Sequence, residues 1–279
     1  MTFATSQLSP DAARSDRRAR RVGVIGAGAI GRAVIGVLAR GGVDGAELAC
    51  VVSQHPVSGL TVPQLTPAEA IEACDVIVEC ADQVVVRQHA EKILNSGVDF
   101  LVTSVGAFVD EDLLRRVLGA GPGRLLFTSG AVGGVDLLAN AAAEAPLERV
   151  RILSRKLPSS LLQPWMDPET HERVRTTAAP LEIFRGSARD AARFFPRSLN
   201  VAATVAFAVD DFDVVEVSLV ADPSAELTTH VIEAEGPTGR YRFEIANRPS
   251  PENPRTSGVV PHAVLRSLSV LVGRPVRIV

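Results

Sequence analysis

The chain has 279 residues, a formal net charge of −3, and 46% apolar against 22% charged residues, the balance of a packed protein of two small domains or one domain with a large insertion. The slight acidic excess offers no positive field to gather nucleic acid, and no apolar run reaches the roughly 20 residues that span a bilayer, so neither partner is expected. Cys50, Cys74 and Cys80 are odd in number, lie in apolar segments and lack metal-ligand spacing, which points to a reducing, cytoplasmic setting and to no metal site.

Residues 1–20 are polar, end in a basic run and show no periodicity, so a mobile tail is expected there. Regular patterning begins at Arg21. An apolar strand at Val22–Ile25 runs into a glycine-rich turn and a helix at Ala29–Ala39. A strand follows at Glu47–Val52, then a helix at Pro67–Ala73, a strand at Val76–Glu79 and a helix at Val84–Asn95. Asp99–Thr103, Glu111–Leu118 and Arg124–Thr128 continue the alternation of strand and helix. Such alternation implies right-handed crossovers and a parallel sheet covered on both faces.

The pattern changes after Thr128. Ser129–Asp136 is small and glycine-rich, and Leu137–Ala143 reads as a helix. Val150–Arg155, Val214–Ala221, His230–Glu235 and Tyr241–Ala246 alternate as half-buried strands do, predicting an antiparallel sheet with one open face. Helices at Ser187–Phe195 and Leu199–Val209 are inserted among them, and a last helix near His262–Leu271 is expected to pack back on the first half. The fold class is therefore α/β: a parallel sheet domain over 21–130, an α+β domain with a mainly antiparallel open sheet over 131–252, and a closing segment over 253–279.

Gly26-Ala27-Gly28-Ala29-Ile30-Gly31 follows a strand and opens a helix. There Gly26 permits the tight turn, Gly28 lets a pyrophosphate approach the backbone, and Gly31 lets helix and strand pack closely, with the helix N-terminus facing the phosphates. The alternative, an ordinary structural turn, does not call for all three glycines in that order. This is the fingerprint of a Rossmann-type dinucleotide site. The acid that usually closes the second strand and selects NAD is replaced by Ser53-Gln54-His55, so NADP is expected to be accepted at least as readily as NAD.

Several later residues carry a functional and a plain reading side by side. Ser129–Asp136 lies at the carboxyl edge of the sheet, where small residues leave room for a nicotinamide ring, and is also a natural hinge. Lys156, one of only two lysines, ends a strand and is either a solvated side chain or a partner for a carboxylate substrate. Asn200, in the first turn of a helix, either caps it or bonds the nicotinamide carboxamide. Among the histidines, spacing alone singles out none: His89 sits on a charged helix face, His171 in a polar loop, and His230 in a strand.

Taken together the chain resembles the L-aspartate dehydrogenases, related in fold to dihydrodipicolinate reductases. The matching pieces span Gly26 to Ser257: Val76–Ala81, Ser104-Val105-Gly106-Ala107, Ser129–Asp136, Arg155-Lys156, Phe195–Thr204, His230 with Ile232–Gly236, and Pro251-Glu252-Asn253-Pro254-Arg255-Thr256-Ser257. The resemblance implies that His230 is the catalytic residue, that Lys156, Asn200 and Thr229 contact a small dicarboxylic amino acid, and that Gly26, Gly28, Ala29, Ile30, Gly31, Ser53, Cys80, Ala81, Ala131 and Asn200 hold NAD or NADP. It implies a homodimer as well. Thr228 departs from the asparagine usual in the family. The implied reaction oxidises the α-amine of L-aspartate to an imine that water converts to oxaloacetate and ammonia, which suits an imidazole at position 230 titrating near neutrality. An imine reductase is the second enzymatic reading, against which stands the lack of the paired histidines and Asp-Ala-Pro-Ser-Gly element of the reductases. A non-catalytic nicotinamide sensor is the third.

Overall fold

The computed structural model describes residues 18–196 and 198–273. The expected tail therefore lies outside the described residues up to position 17, and Arg20, assigned to it, is instead the first residue of a strand, its guanidinium 2.6 Å from the Asp99 carboxylate.

Strands β1 (Arg20–Ile25), β2 (Ala46–Val52), β3 (Val76–Glu79), β4 (Asp99–Val102) and β5 (Leu125–Phe127) form a sheet in the order β2-β1-β3-β4-β5, every pairing parallel. Because helices cover both faces, β3 and β4 are apolar almost throughout, and all their residues are buried. Helices α1 (Ala29–Ala39), α2 (Pro67–Ala73), α3 (Gln83–Asn95) and α4 (Glu111–Leu118) alternate with these strands. Their starts are set by local chemistry: Thr66 and Glu69 form a reciprocal capping box on α2, while Asp82 and Asp110 accept backbone N–H groups at the heads of α3 and α4. A 3₁₀ turn at Val105–Val109 follows β4.

The second half holds α5 (Val135–Glu144), β6 (Arg149–Lys156), α6 (Pro168–Thr176), β7 (Leu181–Ser187), α7 (Ala188–Phe194), α8 (Asn200–Ala208), β8 (Val215–Ala221), β9 (Thr228–Gly236) and β10 (Gly239–Asn247). A small hairpin, β11 (Pro249–Ser250) with β12 (Asn253–Ser257), leads into α9 (Val260–Leu271). The larger sheet runs β10-β9-β6-β8-β7. Three of its pairings are antiparallel, as a mainly antiparallel sheet requires, and one, β6 with β8, is parallel. The chain between them is spent on α6, β7, α7 and α8, so β8 returns in the direction of β6.

Strict alternation along β6 sends Val150, Ile152, Ser154 and Lys156 inward and leaves Arg149, Arg151 and Arg155 exposed. The outward face of this sheet carries opposite charges across strands, such as Arg149 with Glu235 and Arg242 with Glu233. The inward face buries a core with residues of α5, α7 and α8, including Leu138, Ala191 and Val205. Helix α9 puts Val264 and Leu268 beside Val34 and Leu38 of α1 on one face of the parallel sheet. Amide side chains tie the two halves together: Gln83 donates to the Ala192 carbonyl at 3.2 Å, Asn247 donates to that of Ala131 at 2.8 Å, and Asn200 accepts from the Gly106 N–H at 3.1 Å.

Helix α6 and strand β7 escaped the sequence pattern. Helix α6 buries a single residue, Val174, and so shows no apolar period; His171 accordingly lies on this helix and not in a loop. No residue of the edge strand β7 is fully buried. Among the described residues no helix is long and apolar enough to cross a membrane.

Candidate active site

Helix α1 begins without a side-chain cap: its N-cap is Gly28, and its first turn has no acid. The unsatisfied N–H groups and the positive end of the helix dipole therefore face outward, toward whatever anion occupies the space in front of them. The three glycines differ in what a side chain would meet. Gly26 has φ +100°, and a Cβ there would lie 2.6 Å from the Cys80 carbonyl oxygen. A Cβ on Gly31 would collide with the Gly26 carbonyl. On Gly28 it would meet nothing within 4 Å. Fold geometry thus requires the first and third glycines, whereas the second keeps a volume empty that the protein itself does not use.

Two cavities meet at this point, and Gly28, Cys80, Ala81 and Asp82 line both. One, of about 800 Å³, extends over Arg32, Ser53, His55 and Thr66. The other, of about 420 Å³, runs between the halves past Ala29, Ile30, Ser129–Ala131 and Asn200 to Lys156 and His230. A dinucleotide with its diphosphate at Gly28 fits this layout, one nucleoside to each side. In the larger cavity no acid stands at the end of β2. Its two wall carboxylates, Glu69 and Asp82, are engaged in capping α2 and α3.

At the far end of the smaller cavity lie two basic groups. His230 is 1% exposed, and the cross-strand register of β6 and β9 sets it opposite Ser154, whose Oγ is 2.8 Å from Nδ1. Nε2 is then the ring nitrogen with no protein partner among the described residues. Lys156 stands two residues beyond Ser154 on the same face of β6, is 5% exposed, and donates from Nζ to the Ser198 carbonyl at 2.9 Å. Among the described residues no carboxylate pairs with it. Burial lowers its pKa to about 8, and burial together with the neighbouring Lys156 charge lowers that of His230 to about 3. The expectation of an imidazole titrating near neutrality is thus corrected: in the ligand-free pocket His230 is a neutral base, and Lys156 is the group close to the physiological range.

Of the substrate contacts expected from sequence, Lys156 and Asn200 reach the cavity and Thr229 does not. The two-residue period of β9 turns His230, Ile232 and Ala234 inward and leaves Thr229 with Val231 and Glu233 on the opposite face. Asn200 also does not cap α8; that position is Leu199, without a side-chain bond. Its Oδ1 is taken by Gly106, which leaves Nδ2 as the donor with no protein acceptor among the described residues. Gly26, Gly28, Ala29, Ile30, Ser53, Cys80, Ala81 and Ala131 line one or both cavities, whereas Gly31 packs beneath the turn.

Glu79 was not singled out beforehand. It ends β3 fully buried, and its two carboxylate oxygens accept from the N–H groups of Ala81, Thr103 and Ser104 and from the Thr103 and Ser104 hydroxyls. Burial pushes its carboxyl up, against the N–H groups of Ser104, Ala81 and Thr103 and the Ser104 hydroxyl, which pull it down. It fixes two loops that line the cavity, and an acid closing an apolar strand at the sheet's carboxyl edge was the available signal.

A dinucleotide cradle opening onto a pocket with two buried basic side chains across the sheet edge is the layout of a nicotinamide-dependent dehydrogenase. Comparison with known proteins narrows this class. Residues 136–271 match the family model described as aspartate dehydrogenase, C-terminal, and residues 26–122 match that of the homoserine dehydrogenase NAD binding domain. L-aspartate dehydrogenase 3 of Bordetella bronchiseptica is 35% identical over 95% of this chain and 99% of its own length. The L-aspartate dehydrogenase of Methanosarcina mazei is 34% identical over 92% and 98%. The crystal structure of aspartate dehydrogenase from Thermotoga maritima superposes with a TM-score of 0.70 at 25% identity, covering 92% of this chain and 98% of that one. The apo scyllo-inositol dehydrogenase of Lactobacillus casei, at 15% identity and TM-score 0.53, shares the fold. The chain belongs to the L-aspartate dehydrogenase family.

Proposed function

We propose that the protein oxidises L-aspartate with NAD or NADP, releasing oxaloacetate and ammonia, with residues 21–130 carrying the nucleotide and 131–252 the substrate side. The carrying observation is that a single cavity is lined both by the uncapped start of α1 and by His230 with Lys156. The cofactor supplies the hydride acceptor. The protein supplies a place for a carboxylate at the buried Lys156 ammonium and a proton acceptor at Nε2 of His230, whose ring Ser154 orients. The substrate amine must lose its proton before hydride leaves the α carbon, so a neutral imidazole is the required resting state. A dicarboxylate offsets the Lys156 charge and adds negative neighbours, which raises the proton affinity of His230 when the proton has to be taken. Water adding to the imine needs the same base.

The lack of a free acid beside Ser53 among the described residues, with Arg32 and His55 at the same wall, supports acceptance of NADP at least as well as NAD. Family membership supports a homodimer, and three unpaired, buried cysteines support a cytoplasmic location.

The test is absorbance of the reduced cofactor, with L-aspartate in one direction and oxaloacetate plus ammonium in the other. Turnover in both directions is expected. His230→Ala should lower kcat about a hundredfold to ten-thousandfold at unchanged cofactor affinity; undiminished turnover removes His230 from the chemistry, and no turnover by the wild-type protein overturns the activity.

A further inference from the structure

L-Aspartate carries two carboxylates, and Lys156 answers only one of them. Among the described residues lining the smaller cavity, the lysine and arginine side chains are Lys156 and Arg255. Arg255 lies on β12, half-buried, and its backbone N–H donates to Asn253 Oδ1 at 3.1 Å. Its guanidinium has no carboxylate or carbonyl partner among the described residues. Arg149, Arg185, Arg189 and Arg242 by contrast are held by acids; Arg255 is an arginine without one that lines this cavity. A second orphan lies beside Lys156. The Ser198 hydroxyl is the one buried side-chain polar atom without a hydrogen-bond partner among the described residues, and Ser198 lines this cavity. A buried polar atom is rarely left so unless something outside the chain satisfies it.

We propose that the cavity is a two-pole dicarboxylate site, in which Lys156 Nζ and the Ser198 hydroxyl take the α-carboxylate and the Arg255 guanidinium takes the side-chain carboxylate. This rests on the reading of the cavity as the aspartate site. Lys156 receives the α-carboxylate because it neighbours His230, which takes the proton of the amine, and amine and α-carboxylate are borne by the same carbon. Arg255 is carried by the hairpin that leads into α9, whose strand β12 contacts α1 of the nucleotide half, whereas Lys156 and His230 come from the larger sheet of the second half. A planar, permanently charged fork held half out of water suits a carboxylate better than a lysine would. The pair makes Arg255 the residue that separates aspartate from amino acids with an uncharged side chain.

The experiment uses the cofactor-loaded enzyme. Arg255→Gln should raise the KM for L-aspartate about 10- to 100-fold, weaken succinate as a competitive inhibitor by a similar factor, and leave the cofactor Kd, read by nucleotide fluorescence, unchanged. Arg255→Lys, the more conservative change, should fall between the two. Ser198→Ala should raise the KM about 3- to 10-fold with a melting midpoint equal to or above that of the wild type, since it deletes an unpaired hydroxyl. If Arg255→Gln weakens the cofactor instead, the guanidinium serves the diphosphate and the proposal is overturned. An unchanged KM for aspartate in both Arg255 variants overturns it too. Failure of the underlying reading looks different: the wild-type enzyme itself then reduces no cofactor with aspartate.

Discussion

Lys156 is a buried cation with no acid beside it among the described residues, and this has a measurable consequence for stability. Its pKa falls from an ordinary 10.5 in the unfolded chain to about 8 in the folded protein. Where the unfolded chain holds the proton more tightly than the folded one, folding is penalised, and the penalty fades as pH rises from the folded toward the unfolded value. A difference of some 2.5 pKa units corresponds to about 3 kcal/mol of destabilisation at pH 7, falling below about 1 kcal/mol by pH 10. Lys156→Met keeps the unbranched shape and removes the charge. It also strips the Ser198 carbonyl of its donor, which costs about 1 kcal/mol at either pH. The variant should therefore be about 2 kcal/mol more stable than the wild type at pH 7 and lose that advantage near pH 10. Urea unfolding of the ligand-free protein at the two pH values measures both numbers, while aspartate turnover should collapse. A variant that is less stable at pH 7, or an advantage that does not shrink with pH, would refute a desolvated ammonium at this position.

The glycines of the turn offer a second separation. Gly28→Ala should leave the melting midpoint unchanged, because a methyl there meets only open space, yet weaken the cofactor at least about tenfold by standing where the diphosphate lies. Gly31→Ala should instead destabilise the fold itself through its collision with the Gly26 carbonyl, and equal behaviour of the two variants would contradict the assignment. Ser53→Asp should shift the ratio of kcat/KM values toward NAD by about a hundredfold or more, through repulsion of a 2′-phosphate; an unchanged ratio would mean that Ser53 does not face the adenosine ribose.

Much of this architecture is written in local pattern. The strand, glycine turn and helix over residues 20–39 are legible because three constraints coincide: an apolar run buried on both faces, glycines at fixed offsets, and a helical period facing the sheet. Helix α2 is legible from Thr66, Pro67 and Glu69 alone, which form its cap. Helix α6 has an equally good start, with Asp167 accepting from the Thr170 N–H ahead of Pro168, but only Val174 is buried, so no stripe announces it. The parallel pairing of β6 with β8 depends on where the chain travels in between, and strand pattern carries no direction. The outward position of Thr229 is legible, since alternation from His230 sends it to the other face. The low proton affinity of His230 was not readable, because it is set by burial and by Lys156, 74 residues earlier in the chain and adjacent only after folding. Arg255 and Ser198 show nothing unusual as letters; what marks them is a missing partner, a property of three-dimensional surroundings.

The two bases also explain each other. An isolated buried lysine is a liability, and an isolated buried histidine is a common core residue. Buried in one pocket, the ammonium helps keep the imidazole free of its proton, so that the cavity presents one fixed positive charge and one empty proton acceptor side by side. That is the division of labour oxidation of an amino acid requires: charge to hold a carboxylate still, and a lone pair to relieve the ammonium of the proton that blocks hydride departure. Exchanging the charges would defeat it, because a protonated imidazole cannot accept and a neutral amine holds a carboxylate weakly. The fields are assembled before substrate arrives, at a cost to the fold in the ligand-free state, and a dianion entering the pocket recovers that cost as binding. A substrate with a single negative charge recovers less of it, which is why selectivity for a diacid follows from the same burial that depresses both proton affinities.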